Sequence, residues 1–360
     1  MRSFFKMFFA SCLGTVVGLI ALILIGSLLL AGAITALGSG DKPDVAKKSV
    51  LTISLGQHFG EQSQSDPLSS LTGGAGGVPG VYDVVRLIQH AQEDDDIEGI
   101  FLDANGSANG FASSNEIRNA LLEFKKSKKF ILAHGDVISQ GAYFIASAAD
   151  KIYANASGAV DWSGYNVEVV FVKGTLDKLK IEPQIFYAGK YKSATETFRT
   201  TQMTEENKVQ TREWLGDMYQ YFLLKTSQVR KIDTATLHNL ANTGGIQTPQ
   251  NALTAKLIDG LKFETEVKDE IKKRLEIDKY GKLNLIDITK YAEAVTYKRT
   301  GSNRIALIYG EGNIVDGKGG KEAIGSEEFV SMIRKARLDK SIKAIVFRIN
   351  SGGGSALASE

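Results

Sequence analysis

The chain has almost none of the residues that staple or metallate a small fold. It contains a single cysteine, Cys12, and four histidines in 360 residues. One cysteine excludes an intrachain disulfide, and so few scattered thiols and imidazoles argue against a structural zinc site. Proline is scarce, with five residues, so no proline-rich linker or low-complexity tract is present. Charge of one sign is also lacking: 43 basic against 41 acidic residues leave a formal net charge of +2, with no global signature of nucleic-acid binding. Charge is missing altogether from Met7 to Gly40, and Phe8 to Leu37 is overwhelmingly apolar. A spanning helix needs about 20 such residues, whereas the apolar core of a cleaved signal peptide has roughly 7–15. Arg2 and Lys6 precede the run and Asp41, Lys42 and Asp44 follow it, which predicts a cytoplasmic N-terminus and a body on the far side. Cleavage near Ala31-Gly32-Ala33 is the alternative.

What is present in excess is glycine, 37 residues, clustered in turns. A polar linker, 38–48, leads to an alternating strand at 49–55, a Gly/Ser/Gln-rich loop over 56–80, and a helix over 81–92 with Val81, Val84, Val85, Leu87, Ile88 and Ala91 at helical spacing. Ile97–Leu102 suits a buried parallel strand. A helix near 114–126, a strand at 130–133, a helix near 140–149 and a short strand at 151–153 continue the alternation, which specifies an α/β layered fold with a parallel sheet. Beyond it the sequence predicts a helix over 167–180, a strand at 184–187, a long helix over about 205–230, a capped helix and turn within 248–261, and a connector over 276–303.

One segment recurs. Residues 84–105 laid over 329–350 at a constant offset of 245 match without gaps, pairing Val85 with Val330, Ile88 with Ile333, Ala91 with Ala336, Asp94 with Asp339, Ile97 with Ile342, Ile100 with Ile345 and Asn105 with Asn350. The preceding strand recurs too, as SVLTISL and RIALIYG. The pattern reads as a tandem duplication. The expected organisation is an anchor over 1–40, a first α/β domain with its connector over 41–295, and the start of a second such domain over 296–360, cut short.

Three segments bear on chemistry. In 345–360 an apolar strand runs into Asn350-Ser351-Gly352-Gly353-Gly354-Ser355 and a helix start. Consecutive glycines there let backbone N–H groups approach an oxyanion or phosphate closely, although a plain flexible turn has the same composition. It is not a P-loop, since no Lys-Ser or Lys-Thr follows. The segment resembles the glycine motif of the protease IV (signal peptide peptidase) and Clp protease families, which share a crotonase-like fold; Gly352 stands where that family usually has proline. The resemblance implies oxyanion-hole amides at Gly353 and Gly354. The second segment, Gly189-Lys190-Tyr191-Lys192-Ser193-Ala194-Thr195-Glu196, resembles the Tyr-Lys-Ser-Ala motif of protease IV, whose lysine is the general base of a Ser-Lys dyad. That role falls on Lys192, although a lysine at such a place is more often a solvated charge. An ordinary lysine, with a pKa of about 10.4, is neutral in only about one molecule in 2,500 at pH 7. The role therefore predicts that Lys192 is desolvated while Lys190 faces water. Third, where the family's second copy carries its nucleophile in a Ser-Gly-Gly-Tyr setting, the first copy here has Ser139-Gln140-Gly141-Ala142-Tyr143. Gln140 occupies the nucleophile's place and cannot act as one. The offset puts the expected serine near 385, past Glu360, so the 360 residues alone are expected to be inactive.

By this resemblance the complete protein is a membrane-anchored serine endopeptidase that degrades signal peptides after their release from preproteins. It would face the periplasm from a bacterial inner membrane, contact lipid through its N-terminal helix, need no cofactor or metal, bind no nucleic acid and form a homo-oligomer. The rival readings are a peptide-binding membrane scaffold without catalysis, and a crotonase-type acyl-CoA enzyme. The four histidines, Asp94-Asp95-Asp96 and the aromatics of 214–222 read as packing or solvated-turn residues.

Overall fold

The computed structural model describes residues 2–38, 43–65, 77–297, 301–320 and 323–360. In chain order the elements begin with α1 (Arg2–Gly38), β1 (Ser49–Ser54), β2 (Gln64–Ser65), β3 (Gly77–Val78), α2 (Val81–Glu93), β4 (Ile97–Asp103), α3 (Phe111–Phe124), β5 (Phe130–Ile138), α4 (Gln140–Ala146) and β6 (Lys151–Val160). They continue with α5 (Lys173–Lys178), α6 (Glu196–Arg199), α7 (Glu205–Arg230), α8 (Thr234–Asn242), α9 (Pro249–Thr254), β7 (Gly260–Leu261), α10 (Glu264–Arg274), β8 (Leu285–Asp287) and α11 (Ile288–Ala294). The last are β9 (Arg304–Glu311), β10 (Asn313–Val315), β11 (Ala323–Gly325), α12 (Ser326–Leu338), β12 (Ile342–Asn350) and α13 (Ala356–Ser359). Contacts divide them into two compact units: Lys48–His58 with Ala91–Leu285, and Met1–Lys47 with Phe59–His90 and Ile286–Glu360.

The unit holding Ala91–Leu285 is built on a parallel sheet ordered β7-β6-β5-β4-β1, and its α/β layering is the one the sequence alternation specifies. Strands β4 and β5 contribute continuous buried runs, Gly99–Leu102 and Ile131–Gly135, as strands covered on both faces do. One face packs Val50, Phe101, Leu132 and Tyr153 against Val267, Ile271 and Leu275 of α10 and the turn after it. Elsewhere in the unit an aromatic cluster joins α3, α4 and α7: the Phe144 ring lies 5.2 Å from Phe111 and 5.9 Å from Phe222, and Trp162 lies 4.9 Å from Phe222. Arg118, 1% exposed, stands beneath this cluster, donating from Nε to Ser147 Oγ at 3.1 Å and from Nη2 to the Lys225 carbonyl at 3.2 Å. Burial without a carboxylate partner lowers its pKa.

Local sequence accounts for most boundaries. Helix α7 starts at the cap Thr204, with Glu205 and Glu206 in its first turn, where negative charge suits the helix dipole. Thr248 and Asn251 form a reciprocal capping box around Pro249 at the head of α9. Strands β5 and β6 run on to Ile138 and Val160, further than their apolar cores suggest, because parallel pairing continues through Val137–Ala159 and Ile138–Val160 after a bulge. Two expectations fail between 167 and 187. Only Lys173–Lys178 is helical there, and 184–187 is not a strand. Val170, Phe186 and Tyr187 are exposed at 76%, 93% and 54%, so periodicity in this stretch finds neither a core to face nor a ladder to join.

Element bounds recur at the same offset. Helices α2 and α12 have the same bounds at the offset of 245, and α3 and α13 start at residues that correspond under it. The parallel pairing also recurs: Leu51 faces Ile100 in β1–β4, and Ala306 faces Ile345 in β9–β12, each pair with a register irregularity at its first residue. Burial differs. Val50, Ile100 and Leu102 are wholly buried, whereas Ile305, Ile345 and Phe347 are 67%, 39% and 41% exposed. In the second unit Arg348 of β12 donates from Nε and Nη2, both at 2.8 Å, to Glu61 Oε2, which fixes the Phe59–His90 segment to the strand. Within α1, Lys6–Leu28 is long and apolar enough to cross a membrane, with large exposed side chains along its length. Residues 39–42 of the linker lie outside the described residues, as does 66–76 of the glycine-rich loop.

Candidate active site

The glycine turn after β12 is held from both sides by the backbone of β10. The Ile314 N–H donates to the Gly353 carbonyl at 3.0 Å, and the Ser355 N–H donates to the Ile314 carbonyl at 2.9 Å. A Cβ on Gly354 would overlap the Ile314 carbonyl oxygen and lie 2.8 Å from its N and C, so this position requires glycine. Gly353 has φ +103°, a conformation that side chains resist. Its N–H donates to Ser351 Oγ at 3.0 Å, so the turn supplies its own acceptor for that amide. Among the described residues the Gly354 N–H makes no hydrogen bond, and Gly354 is exposed. Ser355 caps α13, accepting from the Ala358 N–H at 3.2 Å and donating to Asp316 Oδ1 at 2.9 Å.

Lys192 lies on the other unit, in a turn before α6. Gly189, at φ +94°, starts that turn, and its carbonyl accepts from the Lys192 N–H at 3.3 Å. Both Lys190 and Lys192 are exposed, so the desolvation of Lys192 that its role requires is absent in this structure. The physical reason is local: the irregular 163–190 stretch leading to the turn is itself mostly exposed and builds no wall around the amine. Glu196, at the end of the same motif, is the buried residue of this segment, a feature that the motif alone does not signal. Burial pushes its carboxyl pKa up, but hydrogen bonds from Thr204 and Asn207, with the charge of Arg199, hold it below the ordinary range.

Gln140 is buried at the head of α4 and is fully engaged. Its Nε2 donates to the Gly164 carbonyl and its Oε1 accepts from the Gly164 N–H, each at 3.0 Å. The preceding residue, Ser139, caps α4 by accepting from the Ala142 N–H at 3.3 Å. Neither side chain is arranged as a nucleophile. Each of the four histidines is also taken up: His58 and His134 by the Ala108 and Lys262 carbonyls, His90 and His238 by the Tyr291 and Tyr219 hydroxyls. Asp94 closes its own turn, accepting from the Asp96 N–H at 3.0 Å. Of the aromatics in 214–222, Tyr219, Tyr221 and Phe222 pack in ring clusters and Trp214 is 44% exposed. Among the described residues no three histidine, cysteine or acidic side chains converge as a metal site.

The chain is similar in sequence to known proteins. The model of Peptidase family S49 matches residues 123–278, a span that includes Gln140 and Lys192. Protease 4 of Haemophilus influenzae is 33% identical over 94% of this chain and 58% of its own length. The chloroplastic serine protease SPPA of Arabidopsis thaliana is 30% identical over 88% of this chain and 46% of its own. The chain thus spans about half the length of the curated relatives it matches. Among solved structures, a membrane-bound stomatin-specific protease aligns over 67% of this chain and 98% of its own, at 12% identity and a TM-score of 0.34, too low to bear on function. On the sequence matches, residues 123–278 match peptidase family S49, and most of the chain is similar to proteins named Protease 4.

Proposed function

We propose that the whole protein is a membrane-anchored serine endopeptidase that degrades signal peptides after their release. The observation that carries the reading is the 33% identity to a Protease 4 across 94% of the chain, a span long enough to take in the Lys192 turn. In this mechanism the neutral amine of Lys192 takes the proton of a serine hydroxyl as the oxygen attacks the scissile carbonyl. The tetrahedral oxyanion is held by backbone N–H groups of the glycine turn, with the Gly354 amide available and the Gly353 amide released from Ser351. Collapse expels the peptide amine, which recovers the proton from the Lys192 ammonium, and water then hydrolyses the acyl-enzyme. The serine belongs to a second-copy segment near position 385.

An exposed lysine is a poor base. Lowering its pKa from about 10.4 to about 7 takes some 4–5 kcal/mol of differential destabilisation of the ammonium, and burial is the source. The serine-bearing segment and the apolar substrate, laid over the turn, supply that cover. An anchor at Lys6–Leu28 would hold the body at the membrane surface, where cleaved signal peptides remain, and Arg2 and Lys6 ahead of the apolar run support an N-terminus in the cytoplasm and a body in the periplasm. A serine-reactive phosphonate applied to the whole protein, followed by peptide mass spectrometry, tests the reading. Labelling of one serine in the second-copy segment, blocked by a signal peptide, is expected; activity that survives complete labelling contradicts it.

A further inference from the structure

Glu196 lies four residues after Lys192, and its side chain is 1% exposed. Its Oε1 accepts from Thr204 Oγ1 at 2.5 Å, and its Oε2 accepts from Asn207 Nδ2 at 2.8 Å and from the Thr204 N–H at 3.3 Å. Arg199 Nη2 stands 3.7 Å from Oε1. Thr204 is the N-cap of α7, so the carboxylate sits at the positive end of a 26-residue helix and takes up donors that the helix start leaves over. That helix does not move freely. Phe222, Leu223 and Thr226 are buried in the unit, and Arg230 at its far end grips Asp259 at 2.9 Å and the Lys256 carbonyl. Between Lys192 and Glu196 the chain is short and closed by a hydrogen bond from the Glu196 N–H to the Ser193 carbonyl at 2.9 Å. The Glu196 carbonyl in turn accepts from the Thr200 N–H and hydroxyl.

We infer that Glu196 is a positioning residue, whose buried carboxylate ties the Lys192 turn to the start of α7 and so fixes where the amine stands. The inference rests on the reading of Lys192 as general base. An exposed loop of this length without such an anchor samples many backbone states, and a reacting group displaced by about 1 Å can lose on the order of 100-fold in rate. Gln at this position keeps the shape but loses the charge and leaves fewer acceptors for the three donors.

The test uses the whole protein and a signal peptide substrate, with Lys192→Ala, Glu196→Gln, Glu196→Asp and Asn207→Ala, reading kcat, KM, thermal unfolding and amide exchange over 190–195. Lys192→Ala is expected to be inactive. Glu196→Gln is expected to lose about 10- to 100-fold in kcat with KM within about twofold, and to exchange faster over 190–195. Glu196→Asp recovers part of the rate, and Asn207→Ala, which leaves the cap Thr204 in place, loses rate in the same sense. If Glu196→Gln does not fold, Asn207→Ala decides alone. An inactive Lys192→Ala beside a wild-type kcat in the folded Glu196→Gln or Asn207→Ala protein overturns the positioning role while leaving the base role standing. A fully active Lys192→Ala overturns both.

Discussion

Replacing Gln140 should cost stability, because its side chain clasps Gly164 to the head of α4. In Gln140→Ala both amide hydrogen bonds to Gly164 vanish, each 3.0 Å in the native protein. At about 1 kcal/mol net per bond, the loss is about 2 kcal/mol. Gly164 is only half-buried, so water replaces part of what it loses, and about 1–2 kcal/mol is expected. In a unit of this size that lowers Tm by roughly 2–8 °C. Gln140→Glu separates the two bonds: its carboxylate still accepts from the Gly164 N–H but cannot donate to the Gly164 carbonyl, and it should destabilise at least as much at neutral pH. Thermal unfolding followed by circular dichroism reads all of these, and tryptophan fluorescence adds a local report, since Trp162 lies two residues from Gly164. A Gln140→Ala protein within about 0.5 kcal/mol of the wild type would refute the clasp. Gln140→Ser is expected to be equally destabilised and to gain no peptidase activity.

Two further outcomes follow from named contacts. Gly354→Ala would drive a methyl group into the Ile314 carbonyl and break the turn's pairing with β10; signal peptide hydrolysis should fall by about 10²–10³, the loss typical of one oxyanion donor, and wild-type kcat would remove the turn from the site. Glu270 feels burial, which raises its pKa, but hydrogen bonds from Lys262, Tyr153 and Arg274 outweigh this and hold it at about 2. A depressed carboxyl pKa stabilises the fold fully above the ordinary carboxylate range, and the contribution fades as pH falls from about 4.5 toward 2. Between pH 7 and pH 3 the wild type should therefore lose more Tm than Glu270→Gln, and parallel losses in the two proteins would contradict it.

The parallel α/β order was legible in the sequence because buried strands such as Ile97–Asp103 are continuous apolar runs and α2 presents one apolar stripe. The repeat was legible because five of its seven identities fall within α2 and β4, the other two, Asp94 and Asn105, standing just after them. The extent of α7 was readable as about 205–230, and the structure starts it at the cap Thr204 and ends it at Lys231 in a left-handed conformation. Failure was concentrated at 167–187, where apolar residues repeat at helical or strand spacing yet face solvent; burial, not periodicity, decides whether such a pattern becomes an element. At the candidate site the glycine turn, the Lys192 motif and the place that Gln140 fills came from the resemblance to protease IV, and the glycine spacing alone fitted a plain turn equally well. The exposure of Lys192 and the burial of Glu196 were not legible, because the first depends on the exposed stretch that precedes the turn and the second on how Glu196 meets Thr204 and Asn207 at the head of α7.

The central claim is that Lys192 is the general base of a serine peptidase, and the pH dependence of kcat in the whole protein tests it most directly. Wild type and Lys192→Ala would be compared on a synthetic signal peptide across pH 5–10. The account predicts that activity rises with one deprotonation well below the ordinary lysine pKa of about 10.4, and that Lys192→Ala loses both that limb and at least about 10³-fold in rate. An alanine variant that keeps the wild-type rate and the same limb would contradict the account.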